Sequence, residues 1–133
     1  MKMRILLLMS CLSAAQVIAA PSLLAKIASV ESANQPAAIG DGGRARGLYQ
    51  MHLGAVLDCG GTRQDWLTLT NPATASRFAG MYVRKLSAQL PPNHRTDADI
   101  YAAWNLGVAG YARRSYKIGA CPTITRRTVA KVK

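Results

Sequence analysis

Glu31 is the only glutamate in the chain; Ser32 follows it, and a short gap then leads to the run Gly42-Gly43-Arg44-Ala45-Arg46-Gly47-Leu48-Tyr49-Gln50-Met51. A single carboxyl group beside a loop of small and hydrogen-bonding residues is equipped for proton transfer. It can donate to a leaving oxygen and afterwards recover a proton. That use requires a pKa raised above the ordinary carboxylate range, so the element that carries Glu31 decides the matter.

The residues before it predict a helix. Ser22 is a good N-cap after Pro21, and Leu23, Leu24, Ile27, Ala28 and Val30 supply apolar positions at helical spacing. Leu24, Ile27 and Ala28 share a face with Glu31, which places its carboxylate at the C-terminal end of an inward-facing stripe. Partial burial and the negative end of the helix dipole both disfavour an anion there. Helical spacing alone is equally compatible with an exposed glutamate at a helix end.

The ordered set Glu31-Ser32, Gly47-Leu48-Tyr49-Gln50-Met51 and Ala102-Ala103-Trp104-Asn105-Leu106-Gly107 resembles the lytic transglycosylase (SLT-type) family of the lysozyme superfamily. The likeness covers about Ser22 to Arg114. It implies a mainly α, lysozyme-like helical domain around a central Glu-bearing helix, with little or no β structure. It also implies that Glu31 is the catalytic acid and then base acting on the β-1,4 bond between N-acetylmuramic acid and N-acetylglucosamine in peptidoglycan, with a 1,6-anhydro product. Supporting roles toward the glycan fall on Ser32, Gly47, Tyr49, Gln50 and Asn105. Gln50 can donate and accept near N-acetyl groups, Tyr49 can stack on a sugar face, Asn105 can fix a sugar or Glu31, and Gly47 lets backbone come close. Each has a plainer alternative: Tyr49 as core, Gln50 exposed, Asn105 as a helix cap, Gly47 as a turn residue. Ser32 either bonds Glu31 or ends its helix.

The chain departs from the family in one loop. Where many members have Ser-Pro-x-Gly-Ala, it has Gly40-Asp41-Gly42-Gly43-Arg44-Ala45, with Asp41 near the serine's place. A second carboxylate could position water and give lysozyme-type hydrolysis. Aspartate in such a sequence also commonly bonds its own turn. Two further readings are a glycan-binding module without turnover and a cationic envelope-disrupting protein. No cofactor is expected.

Residues 1–19 read as an export signal, with Lys2 and Arg4 at its start, an apolar stretch from Ile5 to Val17, and small or aliphatic residues at Val17-Ile18-Ala19. The apolar stretch is shorter than the roughly 20 residues that a membrane span needs. Leu8-Met9-Ser10-Cys11 is an imperfect lipoprotein box, and lipidation at Cys11 is not expected. The mature domain, 20–133, would then be periplasmic or extracellular and a monomer. It keeps Cys59 and Cys121, an even pair that an oxidising compartment could join as a disulfide. His52 and His94 stand far apart with no paired-cysteine spacing, so no metal site is expected and both read as ordinary histidines.

The formal net charge is +11, a field that draws polyanions. In a cell envelope these are stem-peptide carboxylates, teichoic phosphates and lipopolysaccharide, alongside the peptidoglycan strands themselves. No nucleic-acid-binding pattern is present. Most of the basic residues read as solvated surface, with Arg44 and Arg46 set apart because they flank the site loop.

The remaining elements must position the motifs. A short helix is expected over Leu53–Asp58, ended by Cys59-Gly60-Gly61. Asn71-Pro72 opens a long helix whose apolar positions Ala75, Phe78, Ala79, Tyr82, Val83, Leu86 and Leu90 read as core, and Pro91-Pro92 ends it. Another starts at Thr96-Asp97-Ala98-Asp99, with acids in its first turn, and closes at Asn105-Leu106-Gly107. A further helix follows over Val108–Tyr116, and Thr123 to Lys133 reads as a short basic tail compatible with a helix.

Overall fold

The computed structural model describes residues 21–133, so the expected leader and Cys11 lie outside the described residues. Helix α1 spans Leu23–Ser32, opened by Ser22, whose hydroxyl accepts the Ala25 N–H at 3.2 Å. It stops because Ala33 turns left-handed (φ 53°), which lets the Ala33 and Asn34 amides close back on Ser29 and Ala28 carbonyls. Two short strands, β1 (Ile39–Gly40) and β2 (Ala45–Arg46), then pair antiparallel across the turn Asp41–Gly43.

The other elements are α2 (Leu53–Asp58), α3 (Arg63–Leu67), α4 (Pro72–Gln89), α5 (Asp97–Ala112) and α6 (Thr123–Val132). Their starts follow local chemistry. Asn71 caps α4 by accepting two amides, and Pro72 stands at its first turn. Thr62 with Asp65, and Thr96 with Asp99, form reciprocal capping boxes for α3 and α5. Helix α5 is broken at Gly107 (φ 72°, ψ 158°), where the sequence predicts closure, and resumes to Ala112.

Helix α5 lies against α4 and α6, α1 against α6 and α4, and α2 against α3 and α4. The core joins all of these elements: Ile27 from α1, Val56 from α2, Ala79 from α4, Ala102, Ala103 and Tyr111 from α5, and Val129 and Val132 from α6 are wholly buried. Each large apolar side chain so buried stabilises the fold by about 1.5–3 kcal/mol before entropy is counted. The architecture is mainly helical, with one two-stranded sheet among the described residues. No described helix is long and apolar enough to cross a membrane.

Three features differ from the sequence reading. The C-terminal segment, read as a basic tail compatible with a helix, is a helix packed into the core, because Thr125, Val129 and Val132 form a buried stripe at spacings of four and three between its basic residues. Helix α3 is present where no element was expected. The expected Cys59–Cys121 disulfide is absent, and both are free thiols. They belong to different elements: Cys59 caps the end of α2, whereas Cys121 follows the turn Ile118–Ala120, with its thiol 3.5 Å from the Lys117 carbonyl. Burial pushes both thiols up, so they stay protonated.

Candidate active site

Glu31 lies in the last turn of α1, half-buried, at the wall of a cleft of about 280 Å³. The turn after β2 contributes Gln50, Met51 and His52 to that cleft, α2 contributes Ala55, α4 Tyr82, and α5 Trp104 and Asn105. Three segments distant in sequence, those of Glu31, Gln50 and Asn105, therefore meet in one concavity.

The Glu31 carboxyl accepts a hydrogen bond of 2.6 Å from the Tyr101 hydroxyl, and Tyr101 is 1% exposed. Burial is the largest influence on Glu31 and raises its pKa; the Tyr101 bond and the charge of His52 oppose it without cancelling it. Tyr101 is itself pushed far up by burial and by the adjacent carboxylate, so its hydroxyl remains a donor at any working pH. The arrangement keeps Glu31 protonated to higher pH than an exposed glutamate while providing a fixed partner for its anion.

The Gly47-Leu48-Tyr49-Gln50 segment owes its shape to backbone requirements. The amides and carbonyls of Arg46 and Met51 exchange bonds of 3.3 and 3.1 Å around it, and the Gln50 amide closes on the Gly47 carbonyl. Gly47 has φ 76°, and a Cβ there would run into the Leu69 carbonyl. Its close approach is thus to the protein's own backbone. Gln50 is held left-handed (φ 48°), a conformation that non-glycine residues keep only when their surroundings impose it. Its side-chain amide donates to the Ala38 and Gly47 carbonyls at 3.1 and 2.9 Å, and any Cβ on Gly40 would collide with its oxygen. The amide nitrogen is therefore committed to the loop, and the side chain forms a rigid edge of the cleft.

Ser32 bonds neither Glu31 nor the helix end alone. Its hydroxyl donates to the Leu48 carbonyl at 2.7 Å, which ties the end of α1 to the Gly47–Gln50 turn and sets the Glu31 carboxyl against the cleft edge. Tyr49 is 6% exposed, and its hydroxyl pairs with Ser76 at 3.1 Å, so its ring is in the core and not among the cleft residues. Asn105 does line the cleft, with its Oδ1 accepting from Thr125 at 2.6 Å, a bond that joins α5 to α6.

Asp41 is not among the cleft residues. One carboxylate oxygen accepts from Arg44 at 2.8 Å and the other lies 3.2 Å from His52 Nε2, while the Arg44 backbone amide closes on the Asp41 carbonyl. Of the two readings of this residue, the geometry is that of a turn aspartate.

Several cleft residues escaped the sequence reading. Tyr82, read as core, and Trp104, given no role of its own, are half-buried; they meet edge-to-face at 5.3 Å and form an aromatic wall. His52, read as ordinary, lines the cleft and influences Glu31. Tyr101 stands four residues before Asn105, hence on the same helix face; that spacing was the available signal for it.

A family model described as a transglycosylase SLT domain matches residues 13–118, a span that includes every cleft residue. No curated protein and no solved structure matches the chain.

Proposed function

The chain belongs to the SLT transglycosylase family, which acts on peptidoglycan glycan strands, and from that premise we propose that it breaks the β-1,4 MurNAc–GlcNAc bond with Glu31 as acid and then base. The observation that carries this reading is the half-buried Glu31 carboxyl, raised in pKa and held by Tyr101 at the wall of a cleft. Protonated Glu31 gives its proton to the glycosidic oxygen as the C1–O bond breaks. The muramic N-acetyl group supports the developing positive charge, a substrate-assisted route suited to a cleft with no second carboxylate among its described residues. Glu31, now an anion steadied by Tyr101, removes the proton from the muramic C6 hydroxyl. O6 then closes on C1 to give the 1,6-anhydro sugar, and Glu31 ends protonated, ready for the next bond.

The remaining residues act by placement. Tyr82 and Trp104 offer aromatic surface to sugar faces, Asn105 a side-chain amide, and Gln50 a fixed edge. Hydrolysis through Glu31 and Asp41 is less well supported, because both Asp41 oxygens are engaged by Arg44 and His52. Export by the leader would bring the enzyme to its substrate.

Mass spectrometry of digested peptidoglycan tests the proposal. Anhydro-muramic ends are expected, whereas reducing ends alone would replace the transglycosylase with a hydrolase.

A further inference from the structure

A second concavity of about 270 Å³ adjoins the catalytic cleft, with His52 lining both. Leu53, Gly54 and Trp66 form its floor, and Arg44 and Arg63 stand at its rim. Both arginines are exposed. A third cation reinforces the site: the Arg46 guanidinium lies 4.5 Å from the centre of the Trp66 ring, and its buried Nε has no hydrogen-bond partner among the described residues. The acids near these three positive charges are already engaged: Asp41 is bonded to Arg44 and lies beside His52, and Asp65 accepts from Thr62 and pairs with Arg77.

We propose that this shelf binds the acidic stem peptide carried by the muramic sugar of the strand being cleaved, a reading that rests on peptidoglycan as the substrate. The chemistry of the surface selects that occupant. Guanidinium groups pair with carboxylates in a planar, two-bond geometry. The apolar floor suits small side chains such as alanine, which a bare polyphosphate does not offer. Continuity with the cleft through His52 favours a ligand tethered to the sugar at the reaction centre over a free polyanion. Arg63 is the residue to vary, since among the described residues it makes no side-chain hydrogen bond or ion pair and its loss leaves Glu31 and the Asp41 turn untouched.

The test compares cleavage of peptide-bearing strands with cleavage of strands whose stems have been removed by an amidase. The native enzyme is expected to favour peptide-bearing strands by about tenfold in kcat/KM. Arg63→Glu should abolish that preference through KM, Arg63→Lys should keep most of it, and stripped strands should be cleaved by both variants within about twofold of the native rate. Equal native rates on the two substrates, or equal losses on both in Arg63→Glu, would overturn the proposal. A titration separates this outcome from failure of the catalytic reading: a synthetic alanyl-γ-glutamyl peptide ending in a diamino acid is added to the Glu31→Gln protein and followed by NMR. Shifts at Leu53, Gly54 and Trp66 that vanish with Arg63→Glu support the shelf even if no strand is cleaved. Shifts produced by polyphosphate and not by the peptide contradict it.

Discussion

A carboxyl group that must give a proton and then take one back is served badly by either extreme of acidity. Burial drives Glu31 upward, and Tyr101 with His52 restrains it. Tyr101→Phe removes one restraint, so the Glu31 pKa rises further. Because the acid step fails as pH rises through that value, the alkaline limb of the kcat/KM profile should move to higher pH while kcat falls by about tenfold for want of a steadied anion. An unmoved limb would reduce Tyr101 to packing. The same residue sets a stability prediction. A folded-state pKa above the unfolded one means that the native protein binds the extra proton in that window, so stability declines as pH rises from the unfolded to the folded value. Glu31→Gln removes the decline and should stabilise the protein by about 1 kcal/mol at pH 7, or ~4 °C in Tm, with the gain vanishing near pH 4. Thermal unfolding at the two pH values checks this. The position of Glu31 was legible because a helical stripe of Leu24, Ile27 and Ala28 points where it points. Its partner Tyr101 was not, because a contact across 70 residues leaves no local trace.

Among the elements, the Gly47–Gln50 turn positions the cleft most directly. Gly47 combines a left-handed backbone with contact against Leu69, so Gly47→Ala should cost roughly 3 kcal/mol or more in urea unfolding, and a loss below about 1 kcal/mol would contradict the geometry. Capping signals made α1, α4 and the start of α5 readable, since Ser22, Asn71 and Thr96 each act on neighbours within three residues. Helix α3, five residues long, and the two-residue strands are too short for any period to register. The packing of helix α6 was missed for a different reason: Arg126, Arg127 and Lys131 dominate its composition, while the stripe that packs is only Thr125, Val129 and Val132.

At the scale of the whole molecule, α1, α4 and α5 converge so that a lone acid, an aromatic wall and a side-chain amide share one cleft, with a basic shelf beside it. The +11 charge suggests attraction to polyanions but gives no location for it, because the placement of Arg44, Arg46 and Arg63 around Trp66 depends on tertiary packing. The same holds for the two cysteines, whose even number suggested a bridge although both are free thiols. The most direct test of the account is the rate at which purified Glu31→Gln protein solubilises peptidoglycan. A fall of at least about 10³-fold in kcat, with the protein folded and still binding glycan, is the predicted result, since acid and base steps are both lost. A rate within tenfold of the native enzyme would contradict it.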